Sequence, residues 1–109
     1  MEFSEYQTKA SETAVYPDRG SNIYYPALGL VGEAGEIANK VKKIMRDSDG
    51  VLDEGIIETI VGELGDVLWY LSAICDELDV SLEDVADKNI EKLYGRKARG
   101  TIQGSGDTR

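Results

Sequence analysis

The chain nearly repeats one short segment, and the repeat constrains most of what the chain can become. Val31-Gly32-Glu33-Ala34-Gly35-Glu36-Ile37 and Val61-Gly62-Glu63-Leu64-Gly65-Asp66-Val67 stand 30 residues apart. They agree at every position, by identity or conservative exchange, except Ala34/Leu64. Each copy lies in a run whose apolar residues step by three and four, the helical period. Leu30, Ala34, Ile37, Val41 and Ile44 make one stripe. Ile57, Ile60 or Val61, Leu64, Leu68, Leu71, Cys75 and Leu78 make the other. Residues three apart on a helix share a face, so Glu33 and Glu36 point one way, as do Glu63 and Asp66. If the two helices face each other, four carboxylates converge, and like charges that close raise one another's pKa values. A hard divalent cation removes the conflict. An oxygen-only donor set favours magnesium, manganese or calcium over zinc. Gly29, Gly32, Gly35, Gly62 and Gly65 lie inside the same helical runs, each costing about 1 kcal/mol relative to alanine. The expected reason is close approach of the two helices. One acidic pair at this spacing reads as solvated surface; two pairs in matched glycine contexts read as one constellation.

The rest of the chain keeps the same period. Ser4-Glu5-Tyr6-Gln7 reads as a capping box opening a first helix that runs to about Tyr16, and the turn-rich stretch Pro17 to Asn22 ends it. A second helix is expected from Tyr25 or Pro26 to about Arg46, then a turn at Asp47-Ser48-Asp49-Gly50. A third spans roughly Glu54 to Leu78, and Ser81-Leu82-Glu83-Asp84 starts a fourth that reaches about Arg96. The fold class is all-α: a four-helix core whose two long central helices run antiparallel and carry the acidic pairs. The domain reading is one helical domain over 1–97 and a glycine-containing tail over 98–109 without regular structure.

Composition narrows the chemistry. At 109 residues the chain is thin on core for a lone monomer, so an oligomer is expected. No run of about 18 apolar residues is present, so no membrane span is expected. Met1 to Glu5 lacks the basic start of a secretory signal. Cys75 is the single cysteine, which forbids an internal disulfide and suits a reducing, cytoplasmic setting. There is no histidine, which removes the usual general base, the usual zinc ligand and every Ser-His or Cys-His pair. Acid–base and metal chemistry must then rest on carboxylates, lysines or tyrosines. A net charge of −9 repels polymeric nucleic acid, and it repels a free triphosphate unless cations are bound at the site.

With these residues in hand, the sequence resembles the MazG-like family of all-α nucleoside triphosphate pyrophosphohydrolases. The resemblance rests on Glu33-x-x-Glu36, a spacer of 26 residues, and Glu63-x-x-Asp66. It extends to the surrounding wording, Leu28-Gly29-Leu30-Val31-Gly32-Glu33-Ala34-Gly35-Glu36 and Glu63-Leu64-Gly65-Asp66-Val67-Leu68-Trp69-Tyr70, and covers nearly the whole chain from Tyr6. It implies hydrolysis of a (deoxy)nucleoside triphosphate to monophosphate and pyrophosphate, in the manner of house-cleaning or pool-adjusting enzymes. It implies that Glu33, Glu36, Glu63 and Asp66 hold Mg2+, with Mn2+ as substitute, and that Glu33 or Glu36 takes a proton from the attacking water. It also implies a homodimer or homotetramer. Bound cations would let an acidic protein meet a polyanion.

Further residues are candidates by position. Lys40 and Lys43 continue the Glu33/Glu36 face and are placed to contact phosphates. Tyr70 follows Asp66 by one turn and is placed against sugar or base, while Trp69 points to core or interface. Asn89, Lys92 and Arg96 share a face of the last helix and resemble the family's nucleotide and phosphate pocket. Gln7 is a weaker base-recognising candidate, and Tyr16, Tyr24 and Tyr25 cluster around the first connection, where a base pocket is one reading and packing the sufficient one. The glycine-containing tail is too short for a Walker loop, and Asp47-Ser48-Asp49-Gly50 lacks the remaining ligands of a calcium loop. Two other readings stand beside hydrolysis of a triphosphate. One is a non-catalytic helical module that binds nucleotide or metal; the other is phosphoribosyl-ATP pyrophosphatase-like activity.

Overall fold

A computed structural model describes all residues, Met1–Arg109, as four helices without strands. They are α1 (Phe3–Ser11), α2 (Tyr24–Asp47), α3 (Glu54–Glu77) and α4 (Leu82–Arg99). The all-α expectation holds, and no helix is long and apolar enough to cross a membrane.

The α2–α3 pair is antiparallel. Gly29 faces Tyr70, Lys40 meets Glu63, and Ile44 shares a groove with Ile56, so partners ascend in one helix as they descend in the other. The connection is short because its chemistry is tight. Ser48 and Gly50 both donate to Ile44 O, and Gly50 takes the left-handed φ of 76° that a side chain resists. Asp53 then caps α3, its side chain accepting from Ile56 N at 2.8 Å. Ser81 caps α4 as expected, accepting from Asp84 N. That helix continues to Arg99, past the expected end, because Gly100 supplies the left-handed C-cap. Residues beyond it form no helix or strand; Arg109 folds back and donates to Thr101 O, Ile102 O and Gly106 O.

The first helix differs from the sequence expectation at both ends. It starts at Phe3 with no side-chain cap, so Ser4 and Gln7 form no capping box. It ends at Ser11 rather than near Tyr16. Ser11 and Thr13 hydroxyls turn back onto Thr8 O and Ala10 O, which competes with helix continuation. The chain then runs extended across α3, burying Ala14 and Tyr16 against Ala73 with Trp69 beside them. Pro17 favours that conformation, since it disfavours the helical region for Tyr16. Trp69 is therefore a packing residue, its indole N–H donating to Thr13 Oγ1 at 2.7 Å.

Gln7 is a structural link. Its amide donates to Asp76 Oδ1 (2.8 Å) and Val80 O (3.0 Å) and accepts from Leu82 N (2.8 Å), tying α1 to the α3–α4 corner. Its hydrogen-bonding capacity is spent there, so it is not free to read a base. Gln7→Ala is expected to destabilise the chain by about 2 kcal/mol by orphaning the Leu82 N–H and the Asp76 carboxylate. Chemical denaturation checks this, and a change within 0.5 kcal/mol, roughly the size of a neutral surface substitution, would refute it.

The fold is open for its length. The radius of gyration is 16.8 Å, against about 13 Å for a compact chain of this size. The accessible surface is 7811 Å², against about 5,900 Å² for a compact monomer of this mass. Only 8 of 109 residues are buried, too few for a closed core. The expected stripes are buried in part. Ile44 and Cys75 are inside, while Val41, Ile57, Val61, Leu64 and Leu78 face outward. The reason is geometric: α1 and α4 pack on α3 and on each other but not on α2, so α2 and the part of α3 they leave free stay open.

Candidate active site

The antiparallel register brings the two acidic pairs to the same level. Glu33 on α2 and Glu63 and Asp66 on α3 each offer a carboxylate oxygen, and these oxygens lie within 4.8 Å of one another. Glu36, one turn further along α2, stands exposed outside that cluster but near enough for its charge to act on Glu33. The crowding has an electrostatic signature. Hydrogen bonding with Glu63 is the largest cause that raises the Glu33 pKa, followed by desolvation and the charges of Asp66, Glu63 and Glu36. Lys40 Nζ sits 3.6 Å from Glu63 Oε1 and is the one cation paired within the cluster. Three convergent oxygen donors with one carboxyl resisting ionisation fit a hard divalent cation.

The sign of the Glu33 shift gives a test. A carboxyl whose folded pKa is raised contributes its stability below the unfolded value and loses it as pH rises through the folded one. In the metal-free chain the neighbouring carboxylates therefore oppose ionisation of Glu33. Without metal, Glu33→Gln is expected to melt above wild type, with the gap widening from about pH 4 to about pH 7. Adding Mg2+ or Mn2+ is expected to raise the wild-type melting temperature and leave the variant's nearly unmoved. A gap that narrows as pH rises would refute this opposition.

Tyrosines border the carboxylates. Tyr70 lies against Gly29, where an added Cβ would sit 2.2 Å from the Tyr70 ring. Burial raises the Tyr70 pKa first; Tyr25 comes next, by charge and by hydrogen bond, and the charges of Glu33 and Asp66 add to it. Tyr6 of α1 is raised by burial and then by Asp66. Tyr6 carried no signal in the sequence, and Tyr25 carried only that of a tyrosine cluster explained by packing, because the packing of α1 and of the α1–α2 connection onto α3 brings them here. Of the five glycines, Gly29 alone answers to a close approach, and its neighbour is a side chain. Gly32, Gly35, Gly62 and Gly65 have nothing within 4 Å, so within one chain they do not serve helix–helix contact.

The remaining candidates lie further out. Lys40 and Lys43 line a small groove with Ile44, Asp47, Ser48, Ile56 and Thr59 at the α2–α3 turn. Asn89 edges an apolar groove of about 310 Å³ formed by Phe3, Leu68, Leu71, Leu82, Val85 and Ala86. Lys92 is exposed. Arg96 is held by the tail, donating to Asp107 O at 2.9 Å. Since α4 makes no contact with α2, these three residues are not brought against Glu33 within the chain.

An antiparallel helix pair with a converging oxygen-only donor set defines the class: an all-helical protein with a candidate site for a hard cation. The MazG nucleotide pyrophosphohydrolase domain matches residues 26–100, and the chain belongs to that family. Membership implies nucleotide pyrophosphohydrolase activity in general. The chain is 51% identical to the Gene 37 protein of Mycobacterium phage L5 over the full length of both. It is 35% identical to YvdC of Bacillus subtilis (strain 168), over 74% of this chain and 84% of that protein. No solved structure matches the chain.

Proposed function

We propose that the protein hydrolyses a nucleoside triphosphate to the monophosphate and pyrophosphate, with Mg2+ or Mn2+ held by Glu33, Glu63 and Asp66 and approached by Glu36. The observation that carries this reading is the three-carboxylate cluster in a chain of the MazG family. When bound, the cation supplies charge neutralisation at the phosphates and a more acidic water. The chain's own residues do the rest. Glu36, exposed and outside the cluster, is free to take the water's proton, a role for which the chain has no histidine. Lys40 leaves Glu63 for a phosphate oxygen once the cluster's charge is balanced. Tyr70 offers its ring to the base or sugar. Asn89, Lys92 and Arg96 act at the phosphates or base of a neighbouring copy's site.

A homodimer or homotetramer belongs to the same proposal. It is supported by the surface in excess of a compact monomer, about 1,900 Å², which is the scale of a stable interface. Val31 and Val61 stand 70% and 58% exposed on the uncovered faces of α2 and α3.

The test is a panel of canonical and damaged nucleotides with Mg2+ and with Mn2+, both products being identified. Monophosphate and pyrophosphate in equal amounts are expected from at least one triphosphate. Monophosphate from phosphoribosyl-ATP alone would replace the substrate assignment. Metal-dependent stabilisation by nucleotide without any product would make the protein a binding module.

A further inference from the structure

One side chain of α3 gathers three donors from the connection between α1 and α2. Glu77, the last residue of α3, accepts from the Tyr16 hydroxyl and the Gly20 N–H (3.0 Å) on one oxygen and from the Asn22 N–H (3.1 Å) on the other. The Tyr16 hydrogen bond, then the two backbone donors, hold its carboxyl below the usual range. Burial first, then the same bond, pushes Tyr16 up to about 12. At neutral pH the pair is thus an anion and a neutral donor.

Two of the three donor residues, Tyr16 and Asn22, bear on one residue, Tyr25. Tyr16 stacks on it, with ring centroids 4.7 Å apart. Asn22 sets the entry to α2, its side chain accepting from Tyr25 N at 3.1 Å and donating to Pro17 O at 2.8 Å. Tyr25 in turn lies 6.3 Å from Tyr70, whose ring borders Glu33 and Asp66. A line of contacts therefore runs from Glu77 to the acidic cluster. Along α3 the two are eleven residues apart, about 16 Å. A simple staple for a loop needs no such convergence on an aromatic ring.

We propose that Glu77 is a positioning residue: through Tyr16 and Asn22 it fixes Tyr25, and through Tyr25 the Tyr70 ring, as the aromatic wall that receives the base or sugar of the nucleotide. This rests on the function proposed above, which supplies the wall's occupant.

The test compares Glu77→Gln, Tyr16→Phe and Asp79→Asn with wild type, using the best nucleotide of the panel. Glu77→Gln keeps the shape but turns an amide N–H2 toward donors. Tyr16→Phe deletes one hydroxyl and leaves the ring to stack, so it guards against a folding failure. Asp79→Asn removes a charge from an exposed neighbour outside the network. Glu77→Gln is expected to raise KM about tenfold while kcat changes by less than about threefold. The Mg2+ dependence should stay in place, because the cluster is untouched. Tyr16→Phe shows the same split in smaller degree, and Asp79→Asn shows none.

Trp69, the only tryptophan, stands edge-on to Tyr70 at 5.1 Å and reports on the wall without turnover. Its near-UV circular dichroism should shift in Glu77→Gln and Tyr16→Phe while the helical signal holds. Unchanged KM and Trp69 signal in both variants would overturn the proposal. So would losses of kcat and KM that merely track lost helicity. A wild type that releases no pyrophosphate from any nucleotide overturns the function, and with it the occupant of the wall, whatever the Trp69 signal.

Discussion

Asp66→Asn is expected to lower pyrophosphate release by about a thousandfold at saturating nucleotide and metal, the scale of losing one preorganised group that stabilises transition-state charge. Three carboxylate oxygens converge within 4.8 Å, and Asp66 supplies one of the two from α3. The amide keeps the shape and one oxygen but halves the donor capacity and removes the charge that a hard cation seeks. The same substitution has a second effect of opposite sign. Asp66 is one of the charges that raise the Glu33 pKa, so its removal relieves the metal-free chain. The variant is therefore expected to melt above wild type without metal at neutral pH, and to gain less from added Mg2+. Loss of activity with a gain in metal-free stability separates a ligand from a structural residue, whose loss lowers both. Activity within tenfold of wild type would remove Asp66 from the ligand set. Glu36→Gln offers a contrast: it lies outside the cluster, so it should lower turnover while leaving most of the metal-induced stabilisation. If Glu36→Gln abolished that stabilisation as well, Glu36 would be a ligand first.

The parts of this molecule that were legible in advance are those in which chemistry and spacing lie close together in the chain. The Ser81 cap and the turn ending at Gly50 are local, and each appears where the spacing put it. What escaped detection was decided across distance. Gln7 looked like half of a capping box, yet its partners are 69 to 75 residues away. Tyr16 looked like the end of a helix, but burial against Ala73 and a bond to Glu77 pull it out of one. The chain cannot announce such partners through periodicity, because both ends of the contact are single residues. Glu36 shows the same limit within the motif. Its spacing from Glu33 is right for a shared face, but only Glu33 reaches the oxygens of Glu63 and Asp66, and Glu36 stands exposed outside the cluster. The glycines mark a third kind of limit, since nothing within one copy of the chain explains four of the five.

Gly62→Ala combined with Gly65→Ala discriminates between a chain that works alone and one that assembles. Within one copy nothing lies within 4 Å of either position, so each alanine should stabilise α3 by up to about 1 kcal/mol through helix propensity. Two such gains would be a large fraction of the total stability of a small domain. In the proposed assembly a second helix lying across the exposed Val61 and Leu64 and across Gly65 would be the contact for which the helix forgoes them. The expected result is that the double variant raises the dissociation constant of the assembly by more than about tenfold. The separated chains would be no less helical than wild type. Sedimentation at several concentrations reads the first quantity and denaturation of the dissociated chain reads the second. Gly29→Ala serves as the internal comparison. Its Cβ meets the Tyr70 ring of the same copy, so it should destabilise by about 1–3 kcal/mol whatever the state of assembly. An assembly that survives Gly62→Ala and Gly65→Ala with a raised melting temperature would mean that these faces meet only water. The glycines of the repeat would then need a reason other than helix packing.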